Sequence, residues 1–363
     1  MRDFYYHPRE LGYTFPPGHP FRSERLSNAV LLLQRLGLSS PVDFEDANEL
    51  ELERVHAPRY VTTLRRVSER IDRGGITAAD VGDSGLNTAD TPVFSGLWEA
   101  ACAVAGGTRS AARALVEGRS VAVHLAGGLH HARRDRASGF CAVHDIALGI
   151  ETLRARFSRI AYIDLDLHHG DGPEHTYAED PEILTASIHQ YGDGFFPGSG
   201  GLEAAAGTVG VLNAPLPAGT DGQTWLRVFR DGVLPCVEAF APDAVVLQLG
   251  VDAHVTDPLG SLNVLAQEWF SAVKLVHALG LPTLLLGGGG YDPRNPPRMW
   301  AAAVCAFSGV EVPEEIPSDL VEPLGIATFF DHSLPRRESI LVRARAEDVL
   351  QHLRRVELPR IRG

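Results

Sequence analysis

The segment Ile160–Gly172, IAYIDLDLHHGDG, sets Asp164, Asp166 and His168 at alternate positions and then adds His169 and Asp171. Alternate side chains of an extended chain share a face. Two carboxylates and an imidazole would therefore crowd one side, with Leu165 and Leu167 on the other. A carboxylate buried without a partner is costly or takes up a proton. A divalent cation resolves the conflict. Zn²⁺ accepts carboxylate oxygen and imidazole nitrogen at about 2.0–2.2 Å, and catalytic sites combine three protein ligands with an open position. Asp166 and His168 supply two ligands; a third must come from elsewhere, and Asp257 in HVTDPLG is the best placed. The competing explanation is a solvated edge strand that merely carries polar residues.

A second chemical signal is His130-His131, after a Gly-Gly turn. Each imidazole could donate to a carboxylate that fixes its tautomer and leaves the other nitrogen to handle protons. Asp164 and Asp171 are the spare carboxylates. His124, His144, His189 and His277 stand singly and are read as structural. In LLLGGGGYDPRN, Tyr291 follows four glycines. A Gly-x-Gly-x-x-Gly dinucleotide loop would need glycine where Asp292 stands, so close backbone approach is the better reading. The Tyr291 hydroxyl could donate to an oxyanion.

These residues need a scaffold that gathers them. Apolar runs beginning at Val121, Ile160, Ile183, Ala244 and Pro282 read as buried strands. Helix-like segments such as SERLSNAVLLLQRLGL, HDIALGIETLRARF and TWLRVFRDGVLPCVEAF lie between them. Such alternation predicts a parallel sheet with helices on both faces. In such sheets ligands bind beyond the carboxyl ends of the strands. Four of the five runs are followed by GGLHHA, HHGDG, DAHVTDPLG and GGGGYD, so His, Asp and Tyr converge on one edge. No repeat or linker divides the chain. The Pro-rich EVPEEIPSDLVEPLG reads as a surface connection before a final helix.

The 363 residues are 44% hydrophobic, enough for a large core, and a net charge of −13 argues against nucleic acid or anionic membrane as a partner. The acidic balance is compatible with a cationic substrate. Lys274 is the only lysine, which excludes a P-loop and makes Schiff-base chemistry a poor fit. Cys102, Cys141, Cys236 and Cys305 lie far apart, without a zinc-ribbon or disulfide pattern, which suits a reducing compartment. The N-terminus lacks the apolar core of a signal peptide, and no apolar run reaches the ~20 residues that span a bilayer. A cytoplasmic location is the expectation.

The segments AGGLHHARRDRASGFCAVHDIALGI, YIDLDLHHGDG, FFPGSG, VVLQLGVDAHVTDPLGSLN and LLLGGGGYDPRN closely resemble the histone deacetylase family, in its order and approximate spacing. GHPFRSERL and NTADTPVFSGLWEA extend the likeness to residues 15–305, and details such as DTPVF and DAHVTDPL look most like bacterial acetoin utilisation deacetylases. The resemblance implies a single deacetylase domain over residues 1–363 with a C-terminal extension from 311 to 363, in the α/β arginase–deacetylase fold around an eight-stranded parallel sheet. It implies Zn²⁺ on Asp166, His168 and Asp257, His130 paired with Asp164, His131 with Asp171, and Tyr291 as oxyanion donor. Phe140 and Phe196 resemble aromatic walls that sandwich an acyl-lysine, and Gly139 a tunnel residue accepting a hydrogen bond from the substrate amide. Asp90 is similar to a rim aspartate gripping substrate backbone, and Arg25 to an arginine lining an inner acetate channel. A structural K⁺ near Asp164 and Ser187 is also implied.

The implied activity is metal-dependent hydrolysis of acyl-lysine amides in proteins, with an acyl-CoA synthetase as one substrate suggested by the acetoin-type likeness. Fe²⁺ or Co²⁺ could replace Zn²⁺ in so oxygen-rich a site. The chain departs from the family pattern at Ala89, where an acidic neighbour of Asp90 is common, at His144, where Asn is usual, and at Pro296-Pro297. None of these is a proposed ligand. The alternatives are an amidohydrolase for small acetylated amines such as acetylpolyamines, a silent acyl-lysine binding module, and an arginase-like binuclear enzyme. The silent module should have lost a ligand, a histidine or the tyrosine. The binuclear enzyme would need carboxylates where His130, His131 and Tyr291 stand.

Overall fold

The structure is a computed structural model that describes residues 3–205, 210–332 and 338–362. One parallel sheet of eight strands runs through it: β1 (Phe4–Tyr5), β2 (Pro41–Val42), β3 (Val121–His124), β4 (Ile160–Asp164), β5 (Ile183–Gln190), β6 (Val211–Leu216), β7 (Ala244–Gln248) and β8 (Thr283–Leu286). The order across the sheet is β2-β1-β3-β8-β7-β4-β5-β6, with every pair parallel. Together with the helices on both faces, this is the α/β arrangement of the arginase–deacetylase fold, in a single domain. All five expected strands form, and β1, β2 and β6 complete the sheet.

Both faces of the sheet are covered, so its strands read as continuous apolar runs. Ala161, Ile163, Leu184, Val245, Leu247 and Leu285 pack on one side with Trp225, Trp269 and Trp300. Ile160, Tyr162, Ile183, Val246, Leu284 and Leu286 pack on the other. The expected alternation holds beyond the end of β4, because Leu165 and Leu167 continue the first of these cores. Helix Glu24–Arg35 forms as expected. HDIALGIETLRARF is helical only over Asp145–Leu153. The third expected helix is continuous in path but widens over Phe229–Val233, just before Pro235. A π turn is a usual way to accommodate a local mismatch in a helix.

The topology has one functional consequence. The four motif-bearing strands β3, β8, β7 and β4 are consecutive neighbours at the centre of the sheet. Their register puts His124, Leu286, Gln248 and Asp164 in a single row. The loops that follow all begin at one level of one edge.

The Pro-rich connection contains more structure than its composition suggested. Ser318–Leu324 is helical, and Ile316, Leu320 and Leu324 are buried in the first core. Asp331, a little further on, ties this region to the loop after β7. It accepts from His254 Nε2–H (2.9 Å), Arg298 Nη2–H (2.8 Å) and the Ala266 N–H (2.8 Å). Burial works against its charge, but His254 and Arg298 hold the Asp331 carboxyl well below the usual range. A depressed carboxyl contributes stability above its unfolded pKa and loses it as pH falls below that value. Asp331→Asn should lower unfolding free energy by about 3 kcal/mol at pH 7, because it leaves Arg298 and His254 buried without their anion. In denaturant titrations the difference from the parent should shrink below about pH 4; a pH-independent difference would contradict the pairing.

Candidate active site

The chain beyond β4 builds the site with its own backbone. The Asp166 N–H donates to Asp164 Oδ1, and the His168 N–H to Asp166 Oδ1, each at 3.0 Å. Both carboxylates and the imidazole are therefore held on one side. Asp164 Oδ2 also accepts from the Tyr162 hydroxyl (2.6 Å) and from His130 Nδ1–H (2.9 Å). Asp166 Oδ2 accepts from Gln248 Nε2 (2.8 Å) and the Gly289 N–H (2.7 Å). His168 Nδ1 lies 3.2 Å from Asp166 Oδ1 and 3.1 Å from Asp252 Oδ2.

Among the described residues, two sets of three ligand-type atoms come within 4.8 Å of one another: His130, Asp164 and Asp166, and Asp166, His168 and Asp252. Asp252 was not foreseen. It is fully buried, and its Oδ1 accepts the Leu167 N–H (2.8 Å). Asp257 lies outside both sets. Its carboxylate accepts from the N–H groups of Tyr291 (2.7 Å) and Leu259 (3.0 Å), both residues of the pocket wall.

Electrostatics express the excess of carboxylates. Burial disfavours charge on His168, yet Asp166 and Asp252 push it up to about 10. His130 behaves alike: burial opposes its charge, but Asp166 and Asp164 raise it to about 9. Burial and the charge of Asp166 push Asp252 up to about 7. Protein groups alone balance these carboxylates only by taking up protons. A donor set of buried carboxylate oxygens and imidazole nitrogen suits a divalent cation. The backbone beside it is shaped accordingly: a Cβ on residue 289 would sit 2.1 Å from Asp252 Oδ2 and 2.8 Å from Asp166 Oδ2. The residues fit a cation.

His131 is in a different state from its neighbour. Its Nδ1–H donates to Asp171 Oδ1 (2.7 Å), while Arg133 donates to Asp171 Oδ2 (2.6 Å). Burial and the neighbouring His130 lower His131 to about 4, although Asp171 works the other way. The two rings lie 4.0 Å apart. The two neighbouring imidazoles are thus pushed in opposite directions, as in pairs of titratable groups that take different parts in proton transfer.

His131 and His168 open onto a pocket of about 480 Å³, lined also by Asp90, Gly139, Phe140, Phe196 and Tyr291. Phe196 stands edge-on to His131 (4.9 Å), and Phe140 edge-on to Tyr291 (5.6 Å). Phe195, unforeseen, stacks on His168 at 5.3 Å. Burial raises the Tyr291 hydroxyl well above the usual phenol range, so it stays protonated. Arg25 lies deeper, buried among Phe21, Tyr291 and Trp300, with Nη1 donating to the Gly290 carbonyl (3.2 Å). Ser187 is the register partner of Asp164, and its hydroxyl lies 2.9 Å from His189 Nδ1. His124, His144 and His189 are buried in hydrogen bonds to Thr108, Thr176 and Ser187, as their structural reading expected.

Comparison with known proteins agrees with this geometry. A profile of the histone deacetylase domain matches residues 19–307. Acetoin utilization protein AcuC of Bacillus subtilis is 36% identical over 338 residues, 88% of this chain and 86% of that one. Histone deacetylase 9 of Arabidopsis thaliana is 35% identical over 87% of this chain and 75% of its own length. Human histone deacetylase 1 is 35% identical over 88% of this chain and 68% of its own.

Gly289→Ala should weaken divalent-cation binding about 10–100-fold, since its methyl group displaces the carboxylates. Titration of chelated protein with Co²⁺, followed by absorbance, reads the affinity without turnover. Unchanged affinity would contradict the placement of the cation at this cluster.

Proposed function

The chain belongs to the histone deacetylase family, and on that premise we propose that it hydrolyses the ε-amide of acetyl-lysine in proteins, releasing acetate. The observation that carries this reading is the shared pocket. His131, with its lowered pKa, a protonated Tyr291 and His168 of the carboxylate–imidazole cluster line one aromatic-walled cleft. Such a cleft suits a long methylene chain ending in a neutral amide.

Asp166, His168 and Asp257 would hold Zn²⁺, or Fe²⁺ or Co²⁺ in its place. The adjacency of Asp257 to Leu259 and Tyr291 supports its choice as third ligand, because a catalytic site keeps its open position toward substrate. The fully buried Asp252 lies beside the same His168 Nδ1 that faces Asp166, so it would add negative charge next to the cation. When bound, the cation polarises the amide carbonyl and lowers the pKa of water. His131, with Nδ1 committed to Asp171, takes the attacking water's proton at Nε2 as the water oxygen bonds to the carbonyl carbon. The same proton passes to the nitrogen as the C–N bond breaks. His130, held by Asp164, stabilises negative charge, and the Tyr291 hydroxyl donates to the oxyanion. Phe140 and Phe196 flank the methylenes, Gly139 accepts from the substrate amide, Asp90 engages the substrate backbone, and Arg25 receives the acetate side. K⁺ near Asp164 and Ser187 would be structural.

One observation favours a second reading. Asp90 and Asp193 both line the pocket, and two carboxylates at the mouth would also attract the ammonium of an acetylated polyamine. Acetate release from an acetyl-lysine peptide, an acetylated acyl-CoA synthetase and acetylputrescine separates the two. The peptide or protein should exceed the amine in kcat/KM by about tenfold or more, a difference of 1.4 kcal/mol in transition-state binding; the reverse order would establish the small-amine reading. Tyr291→Phe should lower kcat by about 10²–10³ with unchanged metal content. Near-full turnover by this variant would remove Tyr291 from the mechanism.

A further inference from the structure

The wall of the pocket is built on an unfavourable backbone conformation that a residue outside the pocket lining braces. Phe140 has φ +70° and follows Gly139 at φ +49°. For a bulky side chain the left-handed region is an outlier that persists only where surrounding structure over-determines it. Residue 139 has no alternative to glycine, since a Cβ there would lie 2.4 Å from His131 Cδ2. Phe140 has no such excuse.

Ser138 and Cys141 close the turn by exchanging backbone hydrogen bonds (3.1 and 2.8 Å), and three hydrogen bonds to side chains from distant parts of the chain brace it. The Tyr13 hydroxyl donates to the Phe140 carbonyl and accepts from the Ala142 N–H, both at 2.8 Å. One oxygen thereby braces the turn on its outer side. The Phe140 N–H donates to Thr91 Oγ1 (3.2 Å). Tyr13 is itself buried, edge-on to Phe15, Phe21 and Phe94 with centroids 5.7, 5.8 and 5.8 Å away. Its hydroxyl position is therefore set by an aromatic cluster rather than by a mobile loop.

We propose that Tyr13 is a positioning residue for substrate: by clamping Phe140 and Ala142 it braces the left-handed Gly139–Phe140 turn, and so fixes the aromatic wall against which the lysine methylenes lie. The inference rests on the acyl-lysine reading of the pocket. Thr91 is its second arm. Removing the Tyr13 hydroxyl leaves the Ser138–Cys141 pair to hold the turn without its outer brace, so that the Phe140 ring gains freedom against Tyr291 and the cleft loosens.

The test compares Tyr13→Phe and Thr91→Val with Phe94→Leu, which loosens the same aromatic cluster without touching the turn's backbone. Tyr13→Phe should raise KM for an acetyl-lysine peptide about tenfold, the scale of one buried hydrogen bond, with kcat within about threefold. Thr91→Val should act in the same direction, and the double variant should fall short of the product of the two, as for residues acting on one element. Phe94→Leu should lower Tm yet leave KM within about twofold. KM unchanged in Tyr13→Phe, or raised equally by Phe94→Leu, would overturn the proposal while leaving the deacetylase reading intact. The clamp is also read without turnover: Tyr13→Phe should speed amide hydrogen exchange at Ala142 about tenfold, and Phe94→Leu should not. Unchanged exchange in Tyr13→Phe sinks the clamp whatever the enzyme acts on, whereas a wild type inactive on every acyl-lysine substrate removes the functional reading instead.

Discussion

Burying Asp164, Asp166 and Asp252 side by side is the constraint from which the centre of this molecule follows. Among the described residues, the imidazoles of His130 and His168 answer these charges within hydrogen-bonding range, and the Arg25 guanidinium adds its charge from further away. Protons drawn onto His130, His168 and Asp252 are the protein's own response to the imbalance. A divalent cation satisfies the same demand and leaves the histidines free for other work. Neighbouring groups at the edge of the sheet hold its oxygens in place. Tyr162, Gln248 and the Gly289 N–H each spend a hydrogen bond on one of its oxygens.

The sheet makes the cluster possible. Parallel strands end on the same side, and the central four end at one level, so short loops suffice to bring distant segments together. The pocket then takes its character from contrast. Beside His130, which its carboxylates push upward, stands His131, pushed downward chiefly by burial, with Asp171 shared between it and Arg133. Aromatic rings of Phe140, Phe195, Phe196 and Tyr291 line the sides of the pocket.

Much of this was legible in the sequence because the chemistry is written in short segments. Asp-x-Asp-x-His reports a face by its spacing alone, and the strands announce themselves as apolar runs since both faces are covered. The pairings His130–Asp164 and His131–Asp171 were implied by family likeness, and the distances agree. What escaped was whatever depends on the third dimension. Asp252 sat in plain view in DAHVTDPLG, yet nothing in one dimension says that its carboxylate reaches His168 while Asp257 faces backbone N–H groups. Tyr13 and Thr91 are far from Phe140 in sequence, so their hold on its turn left no trace. Strands β1 and β2 are only two residues long, too short to carry a period. In the Pro-rich connection, local composition lost to tertiary packing, because Leu320 and Leu324 had a core to enter.

The most direct measurement is an anomalous-difference map, collected at a metal absorption edge from crystals of active, never-chelated protein. A single strong peak among Asp166, His168 and Asp257, open toward Tyr291, is the expected result. No peak at that cluster in protein that still turns over substrate would mean that its carboxylates are balanced some other way, and the proposed chemistry would fall with them.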